Sequence, residues 1–460
     1  MRRIVLAVAA CLVAVSRLFA QLDGPRDNPG RTSKLPNILL ILADDLGYGD
    51  LGCYGQTNFA TPNIDRLARE GMKFTQAYAG NTVCAPSRCA LMTGKHSGHG
   101  RVRSNVQVPL EPDDVTIAEV LRTVGYDSMA VGKWALGWEG TPGTPLKQGF
   151  NQWFGYLDQL HAHAYFPSHL WRNEMDMPML SNKGGGRGDY APDWFLRITT
   201  NYVKAKAESP FFIYYASNLP HANNELGTNG MLEIRSLGEF ANRPWPKPEQ
   251  GKAAMIARLD ADVGVLLATL DRYRLDRQTL VIFASDNGPH SEGGVTNTFF
   301  QSSGPFRGQK RSLYEGGIRV PFIVRWPKYV KPSQTNDLTI ALWDVLPTLA
   351  EVAGATRPQG LDGVSFAQSL YGREQKRKHD SLYWEFHEYG YQKAVRFGDW
   401  KALSLGTNKP VELYNLAQDP GETIDLAASH AEEVRRGVQL MDSSASPYVE
   451  PVDSTPKARF

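Results

Sequence analysis

The 460-residue sequence carries almost no excess charge, with 50 Lys and Arg against 48 Asp and Glu. It therefore lacks the strongly basic balance typical of nucleic-acid-binding proteins, and we expect no nucleic-acid partner. It also has no internal repeat and no apolar run of membrane-spanning length. The glycines at 184–186 and 188 are followed by no Lys-Ser or Lys-Thr pair, which excludes a phosphate-binding loop there. With 42% hydrophobic and 21% charged residues, the composition indicates a globular protein long enough for two domains.

Residues 1–20 have the features of a secretory signal peptide. A basic start, Met-Arg-Arg, precedes the apolar run Ile4–Val15, which is too short to cross a bilayer, and cleavage near Ala20 fits this pattern. The alternative is a lipoprotein signal ending at Cys11, which the early position of that cysteine disfavours. Cleavage removes three arginines and no acid, leaving 47 basic against 48 acidic residues. We predict export to the periplasm or the extracellular space, with residues 21–35 as a linker.

Residues 83–94 are the most distinctive stretch, Val-Cys-Ala-Pro-Ser-Arg-Cys-Ala-Leu-Met-Thr-Gly. The run Cys-x-Pro-Ser-Arg, with Leu91 and Thr93-Gly94 behind it, resembles the signature of the formylglycine-dependent (type I) sulfatases of the alkaline phosphatase superfamily. In that family a maturation enzyme oxidises the motif cysteine to Cα-formylglycine. The resemblance implies that Cys84 is converted and that a formylglycine-generating enzyme is a partner. The alternative is a buried or thiolate cysteine beside a structural arginine.

The chemistry of a hydrated formylglycine explains its use as a nucleophile. One of its two hydroxyls attacks sulfur and expels the alcohol, and the other is then deprotonated and expels sulfate as the aldehyde re-forms. Arg88 lies one turn beyond Cys84 if the segment after Pro86 is helical, so we expect it to hold the hydrate or the sulfate. Conversion would leave Cys53 and Cys89, for which a disulfide and two free thiols both remain open.

Two pairs of polar residues follow strand-like apolar runs and predict a metal site. Asn37–Ala43 reads as a strand buried on both faces and ends in Asp44-Asp45. Residues 280–284 read as another strand and lead to Asp286-Asn287. These pairs match the family's metal motifs, so the resemblance implies an oxygen-ligand site for Ca²⁺, or for Mg²⁺, that includes the converted Cys84. In isolation, Asp-Asp before glycine more often forms a turn.

Three further residues match catalytic positions of the family. Lys133 follows the predicted strand 128–131, and Lys310 is the sulfate-binding lysine within residues 304–321. His221 follows the predicted strand Phe211–Ala216 and corresponds to the proton donor for the leaving alcohol. Imidazole titrates near neutral pH, which suits this role.

The sequence departs from the family at Ala135, where a histidine usually stands two positions after the lysine. Losing one preorganised donor costs roughly 3–4 kcal/mol, or about 10²–10³ in rate, against total accelerations of about 10⁶ or more. The departure therefore does not predict an inactive enzyme. His161 and His163 lie within residues 158–167, predicted to form a loop at the mouth of the site, with His163 as a substrate contact. Two histidines with no third ligand nearby do not predict a second metal site.

The remaining candidate contacts lie on the predicted rim of the crevice. His290 follows the second metal pair, and Glu385 and His387 belong to a strand-like stretch near the start of the C-terminal part. We predict these three residues to bind substrate. Residues 222–247 are irregular and polar and are a candidate specificity loop.

Periodicity and turn residues predict the other elements. Helices are expected over 113–124, 249–271, 339–353 and 429–441, and a long surface loop over 172–192. Beyond residue 372, short alternating runs predict an antiparallel sheet. We assign residues 36–372 to a catalytic domain and 373–460 to a C-terminal subdomain.

The resemblance implies an α/β fold with a large mixed, mostly parallel sheet flanked by helices, as in alkaline phosphatase. A smaller C-terminal α+β domain with an antiparallel sheet follows. The predicted function is hydrolysis of a sulfate ester on a sulfated carbohydrate. The alternatives are a phosphodiesterase or phosphonate hydrolase on the same core, and an inactive protein that binds sulfated glycans. The sequence does not name the sugar or the sulfated position.

Overall fold

The computed structural model describes residues 35–106, 108–226, 232–388 and 390–448. The predicted signal peptide, nearly all of the predicted linker and residues 449–460 lie outside these ranges. The described strands are, in chain order, β1 (Asn37–Ala43), β2 (Met72–Phe74), β3 (Ala77–Tyr78), β4 (Asp127–Lys133), β5 (Gln152–Tyr156), β6 (His169–Arg172), β7 (Met175–Pro178), β8 (Phe211–Ala216), β9 (Thr279–Ser285), β10 (Phe322–Arg325), β11 (Gln334–Asn336), β12 (Ile340–Ala341), β13 (Leu382–Phe386), β14 (Gln392–Phe397), β15 (Trp400–Ser404) and β16 (Glu412–Asn415). The described α-helices are α1 (Pro62–Arg69), α2 (Cys84–Thr93), α3 (Ile117–Arg122), α4 (Ala191–Ala205), α5 (Lys247–Arg272), α6 (Glu315–Ile318), α7 (Val345–Ala353), α8 (Ala367–Leu370) and α9 (Ala431–Ser443).

The main sheet has ten strands in the order β11-β2-β10-β9-β1-β8-β4-β5-β6-β7. Its central strands β9, β1, β8, β4 and β5 run parallel, whereas β10 and β6 pair antiparallel to β9 and β5. All seven residues of β1 are buried, because helices cover both faces of the sheet. The predicted large, mixed and mostly parallel sheet is therefore confirmed.

Alternate side chains of β1 enter two different cores. Ile38, Leu40 and Leu42 pack with residues of α2, α3 and α7, and Leu39 and Ile41 pack with residues of α1, α4 and α5. This follows from the two-residue period of a strand. Each such buried side chain contributes about 1.5–3 kcal/mol relative to exposure. The two cores hold the central strands rigidly, and so fix the loops that leave their carboxyl ends.

The C-terminal part forms a four-stranded antiparallel sheet in the order β13-β14-β15-β16. One face, with Trp384 and Phe386, packs against Val83 and Ala90, which lie just before and within α2. The other face packs on α9 through Met441. The predicted small antiparallel sheet is confirmed, and its packing helps to position α2.

The predicted surface loop 172–192 is wrong in part. It contains β7, and the β6–β7 hairpin extends the edge of the main sheet. Residues 191 and 192 already belong to α4. The two hairpin strands have four residues each, too few for an alternating pattern to stand out among the neighbouring glycines.

Two predicted helices are shorter than expected at their N-termini. The helix predicted from 113 begins at Ile117, because Thr116 caps it: its hydroxyl accepts from the Glu119 N–H, and the Glu119 carboxylate accepts from the Thr116 N–H. The helix predicted from 339 begins at Val345, after β12 and one tight 3₁₀ turn. Capping and strand pairing override apolar periodicity at both sites.

The three described cysteines are free thiols, so Cys53 and Cys89 do not form a disulfide. Within the described ranges, no helix combines the length and apolar character needed to cross a bilayer.

Candidate active site

Polar side chains converge where four neighbouring parallel strands end. Asp44 and Asp45 follow β1, Lys133 is the last residue of β4, His221 lies beyond β8 and Asp286 directly follows β9. Parallel strands present their carboxyl ends at one edge of a sheet, which is where open α/β sheets bind ligands. All five side chains are almost completely buried. The fold thus gathers them in one crevice.

Cys84 is the first residue of α2 and faces the paired acids. Its Sγ lies 3.2 Å from Asp44 Oδ1 and 3.8 Å from Asp45 Oδ1. Burial and the Asp44 carboxylate raise the pKa of the thiol well above its ordinary value. An unmodified Cys84 is therefore a neutral thiol and a poor nucleophile. This environment disfavours the thiolate alternative.

Each of the paired acids is bound to a buried lysine. Lys133 Nζ lies 2.7 Å from Asp44 Oδ2, and Lys310 Nζ lies 2.7 Å from Asp45 Oδ2. Burial alone would raise the pKa of both carboxyls, but Lys133 and Lys310 respectively hold these pKa values well below the ordinary range. Both acids are therefore ionised and able to act as ligands.

Arg88 is completely buried and contacts a third acid. Its Nε and Nη2 donate to Asp286 Oδ2 at 3.0 and 2.8 Å, and its Nη1 donates to the backbone carbonyl of Lys133 at 2.7 Å. Nη2 also lies 3.5 Å from Asp44 Oδ1. The sequence predicted Arg88 on the hydrate or the sulfate. In the structure its guanidinium holds Asp286 and the end of β4.

The crevice fits a divalent cation. Asn287 Nδ2 donates to Asp45 Oδ1 at 2.7 Å, but the buried Asn287 Oδ1 has no partner among the described residues. Burial and repulsion from Asp44 and Asp45 raise the pKa of Asp286 to about 7. A cation that prefers oxygen would satisfy the amide oxygen and offset the repulsion between the carboxylates. A compact group of donor atoms, all within 4.8 Å of one another, comes from Asp44, Asp45, Cys84 and His221.

Both ring nitrogens of His221 have partners. Nδ1 donates to the backbone carbonyl of Ala222 at 2.5 Å, and Nε2 lies 3.0 Å from Lys310 Nζ and 3.4 Å from Asp45 Oδ2. Burial and Lys310 lower the pKa of His221 well below its ordinary value. The imidazole is therefore neutral, and its Nε2 accepts a hydrogen bond from the Lys310 ammonium.

His163 lies against the crevice, in a short 3₁₀ helix (His161–His163) within the predicted loop 158–167. Its ring stacks on that of His221, with the centroids 4.5 Å apart and the planes 12° apart. His163 Nδ1 lies 3.0 Å from Glu225 Oε1. Ala135, where the family imidazole is missing, is buried with φ +64° and brings no polar atom from its side chain.

The predicted rim residues differ in what they offer a substrate. His290 Nε2 donates to the Pro220 carbonyl at 3.1 Å and its Nδ1 accepts from the Glu292 N–H, so both ring nitrogens are engaged. Glu385 is completely buried. Its carboxylate is bound by Arg103, Tyr383, His387 and Tyr391. Of these predicted contacts, His387 keeps some exposed surface, with Glu385 as its anchor.

Sequence reasoning missed several residues of the crevice. Glu225 holds His163, the Tyr165 hydroxyl donates to the His221 carbonyl at 2.8 Å, and Asn105 Oδ1 accepts from the Ala85 N–H at 3.1 Å, next to the nucleophile position. These partners lie 20 to 62 residues apart in the chain. No local pattern marks such contacts.

A second group of histidines, outside the crevice, is explained by hydrogen bonds. His99 Nδ1 lies 2.8 Å from Asp362 Oδ1, and the His96 N–H donates to Asp362 Oδ2 at 3.0 Å. His96 Nδ1 accepts from the Gly98 N–H, so its ring proton lies on Nε2, 3.6 Å from Asp362. That nitrogen has no free lone pair for a metal.

Comparisons with known proteins identify the family to which this chain belongs. The chain matches the model described as Sulfatase over residues 36–355, and the model described as N-sulphoglucosamine sulphohydrolase, C-terminal, over residues 306–441. Human arylsulfatase A is 34% identical over 449 residues, covering 85% of this chain and 83% of that protein. An N-acetylgalactosamine-6-O-sulfatase of Bacteroides thetaiotaomicron is 29% identical, covering 93% and 99%.

A solved structure agrees with these sequence matches. Ps i-CgsB in complex with k-i-k-neocarrahexaose has a TM-score of 0.78 and 30% identity, over 89% of this chain and 92% of that one. The first family model alone covers more than half of the present sequence. The chain belongs to the sulfatase family and is a sulfuric ester hydrolase.

Proposed function

We propose that this protein is an exported sulfatase that hydrolyses a sulfate ester on a sulfated carbohydrate. Its nucleophile would be formylglycine made from Cys84 by a formylglycine-generating enzyme, and its metal would be Ca²⁺, with Mg²⁺ as the alternative. The carbohydrate class is supported by similarity to a protein named for N-acetylgalactosamine-6-sulfate and to a structure that contains a neocarrahexaose. Residues 36–372 would form the catalytic domain and 373–460 the C-terminal subdomain, after removal of a signal peptide at 1–20.

The observation that carries this proposal is the environment of Cys84. Its side chain is completely buried, 3.2 Å from Asp44, in a crevice that also holds Arg88, Lys133 and Lys310. A neutral thiol gains little from such a setting. Conversion would instead place hydroxyl groups against carboxylates that can accept their hydrogen bonds, beside cations that suit an anionic ester.

The surrounding side chains divide the remaining work. When bound, the cation supplies Lewis-acid polarisation of the sulfate and a lowered pKa for an attacking hydroxyl. Lys133 and Lys310 would set positive charge against the sulfate oxygens in a water-poor crevice, where charges act strongly. His221 would pass a proton to the leaving oxygen. The metal ligands would be Asp44, Asp45, the converted Cys84, Asp286 and Asn287.

The proposal is tested by peptide mass and by a substrate panel. Protein from a host with the maturation machinery should give a tryptic peptide Phe74–Arg88 that is lighter than its cysteine form and reacts with carbonyl reagents. The same protein should release sulfate from sulfated sugars faster than phosphate from matched phosphate esters. Preferred phosphate or phosphonate hydrolysis would move the function to the alternative on the same core. Binding of sulfated glycan with no sulfate release would support the inactive binding protein.

Metal removal should strongly reduce turnover, because the crevice would lose the Lewis acid that polarises the sulfate. We expect the chelated enzyme to lose at least about 10²-fold in kcat and to recover with added Ca²⁺ or Mg²⁺. Bound cation should also raise Tm, since a ligand at 100 times its Kd stabilises the fold by about 2.7 kcal/mol.

The variant Asn287→Ala provides the matched comparison for this test. It keeps all three acids but removes the unpartnered amide oxygen, so it should need a higher metal concentration for half-maximal activity. Full activity in protein shown by elemental analysis to be free of metal would contradict the metal site.

A further inference from the structure

The crevice needs a second imidazole if the chemistry of the family is to be complete, and Ala135 does not supply it. His163 is the candidate, because its ring lies 4.5 Å from that of His221 with nearly parallel planes, whereas the ring of His290 lies 6.2 Å away. It is 5% exposed, so it belongs to the crevice wall and not to the outer surface. Its loop is also fixed to the segment that carries His221, through the bond from the Tyr165 hydroxyl to the His221 carbonyl.

The hydrogen bond to Glu225 determines which nitrogen of His163 is available. The Glu225 carboxylate can only accept, so the proton of His163 Nδ1 points to Glu225 at 3.0 Å. Nε2 then has no hydrogen-bond partner among the described residues. Burial lowers the pKa of His163, Glu225 opposes this, and Lys133 and Lys310 are close enough to add to the lowering. Those two lysines are the residues expected to face the sulfate.

We propose that Glu225 and His163 form a carboxylate–imidazole pair that binds the sulfate-ester group through Nε2 of His163, in place of the imidazole absent at Ala135. As the anionic ester binds, the imidazole takes up a proton from solvent, so that Nε2–H donates to an ester oxygen while Nδ1–H stays on Glu225. Glu225 is a positioning residue: it fixes the tautomer and the ring plane, and its charge favours the protonated imidazole. This inference rests on the proposed sulfatase function and names a further part of the same crevice.

The neighbouring pair His161 and His169 shows what distinguishes His163. Their rings also stack, with centroids 4.3 Å apart, but among the described residues no carboxylate contacts the His161 ring, and burial and His169 lower the pKa of His161 to about 3. What His163 has and the His161 ring lacks is a carboxylate, Glu225, that opposes the lowering of the pKa. His169→Ala removes a stacked imidazole near the same loop without touching the crevice, and it is the matched control.

The first test measures binding without turnover. In a Cys84→Ala background, calorimetry with inorganic sulfate and with the best sulfated sugar should give measurable Kd values. Adding Glu225→Gln should weaken both by about 10-fold, and adding His163→Ala by about 10²-fold. Glu225→Asp should recover part of the loss, and His169→Ala should change Kd less than about 2-fold. If the Cys84→Ala protein binds no sulfate ester, the proposed function itself fails.

The second test uses pH to separate a positioning role from a merely structural one. The protonated imidazole is the form that binds the anion, and the Glu225 charge raises the pKa of His163. Without that charge the proton is lost at a lower pH, so the alkaline decline in sulfate affinity should move to lower pH in Glu225→Gln. The proposed role of the Glu225–His163 pair would be wrong if Glu225→Gln left both Kd and the pH profile unchanged while the parent protein still bound the ester.

Discussion

Cys84→Ala should lose essentially all sulfatase activity while remaining folded. Removing the nucleophile of a hydrolase that acts by covalent catalysis typically costs on the order of 10⁵-fold or more in kcat. The side chain is buried at the start of α2 and its Sγ contacts only the polar crevice by hydrogen bonds, at Asp44 and Asp45. We expect Tm to change little, since the truncation removes one atom. Sulfate release from the best sugar and a thermal melt together check the result.

Cys89→Ala is the matched control for this prediction. Cys89 is also buried in α2, but it belongs to the apolar core cluster that packs on one face of β1, and Gly100 lies nearby. Its loss should leave kcat within about 3-fold of the parent and should lower stability modestly. Retention of more than about 1% of the activity in Cys84→Ala would contradict a nucleophile at Cys84. Equal losses in both variants would indicate damage to α2 and not to the chemistry.

The parts of the fold that sequence could predict are those with strong local signals. β1 matches its predicted range because a strand buried on both faces is apolar throughout, and its acids come next in the chain. β8 likewise matches Phe211–Ala216. The residues that follow such strands, including His221, were then brought together by the topology of a parallel sheet. Because parallel strands end at the same edge of a sheet, motifs that are far apart in the sequence lie together in one crevice.

The contacts that sequence could not predict depend on distant pairing. Arg88 was expected to hold the hydrate or the sulfate, and in the structure its guanidinium donates to Asp286 and to the Lys133 carbonyl, which lie 198 and 45 residues away. Glu385 likewise has a distant partner, Arg103, which lies 282 residues away, beside the local Tyr383 and Tyr391. A motif predicts in which part of the fold a residue lies. Whether that residue can still bind a ligand depends on the hydrogen-bond partners of its polar atoms, which the motif does not give.

His221→Ala should slow hydrolysis in a way that depends on the leaving group. A positioned acid contributes typically about 10²–10⁴-fold when the departing oxygen is basic. A sugar alkoxide is such a group, so kcat on a sulfated sugar should fall in this range. The acidic phenol of an aryl sulfate leaves without much protonation, so kcat on an aryl sulfate should fall far less.

The comparison with Lys310→Ala separates proton transfer from electrostatics. Lys310 Nζ lies 2.7 Å from Asp45 Oδ2 and 3.0 Å from His221 Nε2, so it both fixes a predicted metal ligand and donates to the imidazole. Its removal should impair sugar and aryl sulfates to similar extents, because both need the charge. In the structure, Nε2 of the neutral His221 accepts a hydrogen bond from Lys310, so His221 would have to take up a proton at Nε2 from solvent before passing one to the leaving oxygen. Unchanged turnover of the sugar sulfate in His221→Ala would show that another group, such as Lys310 itself, protonates the alcohol.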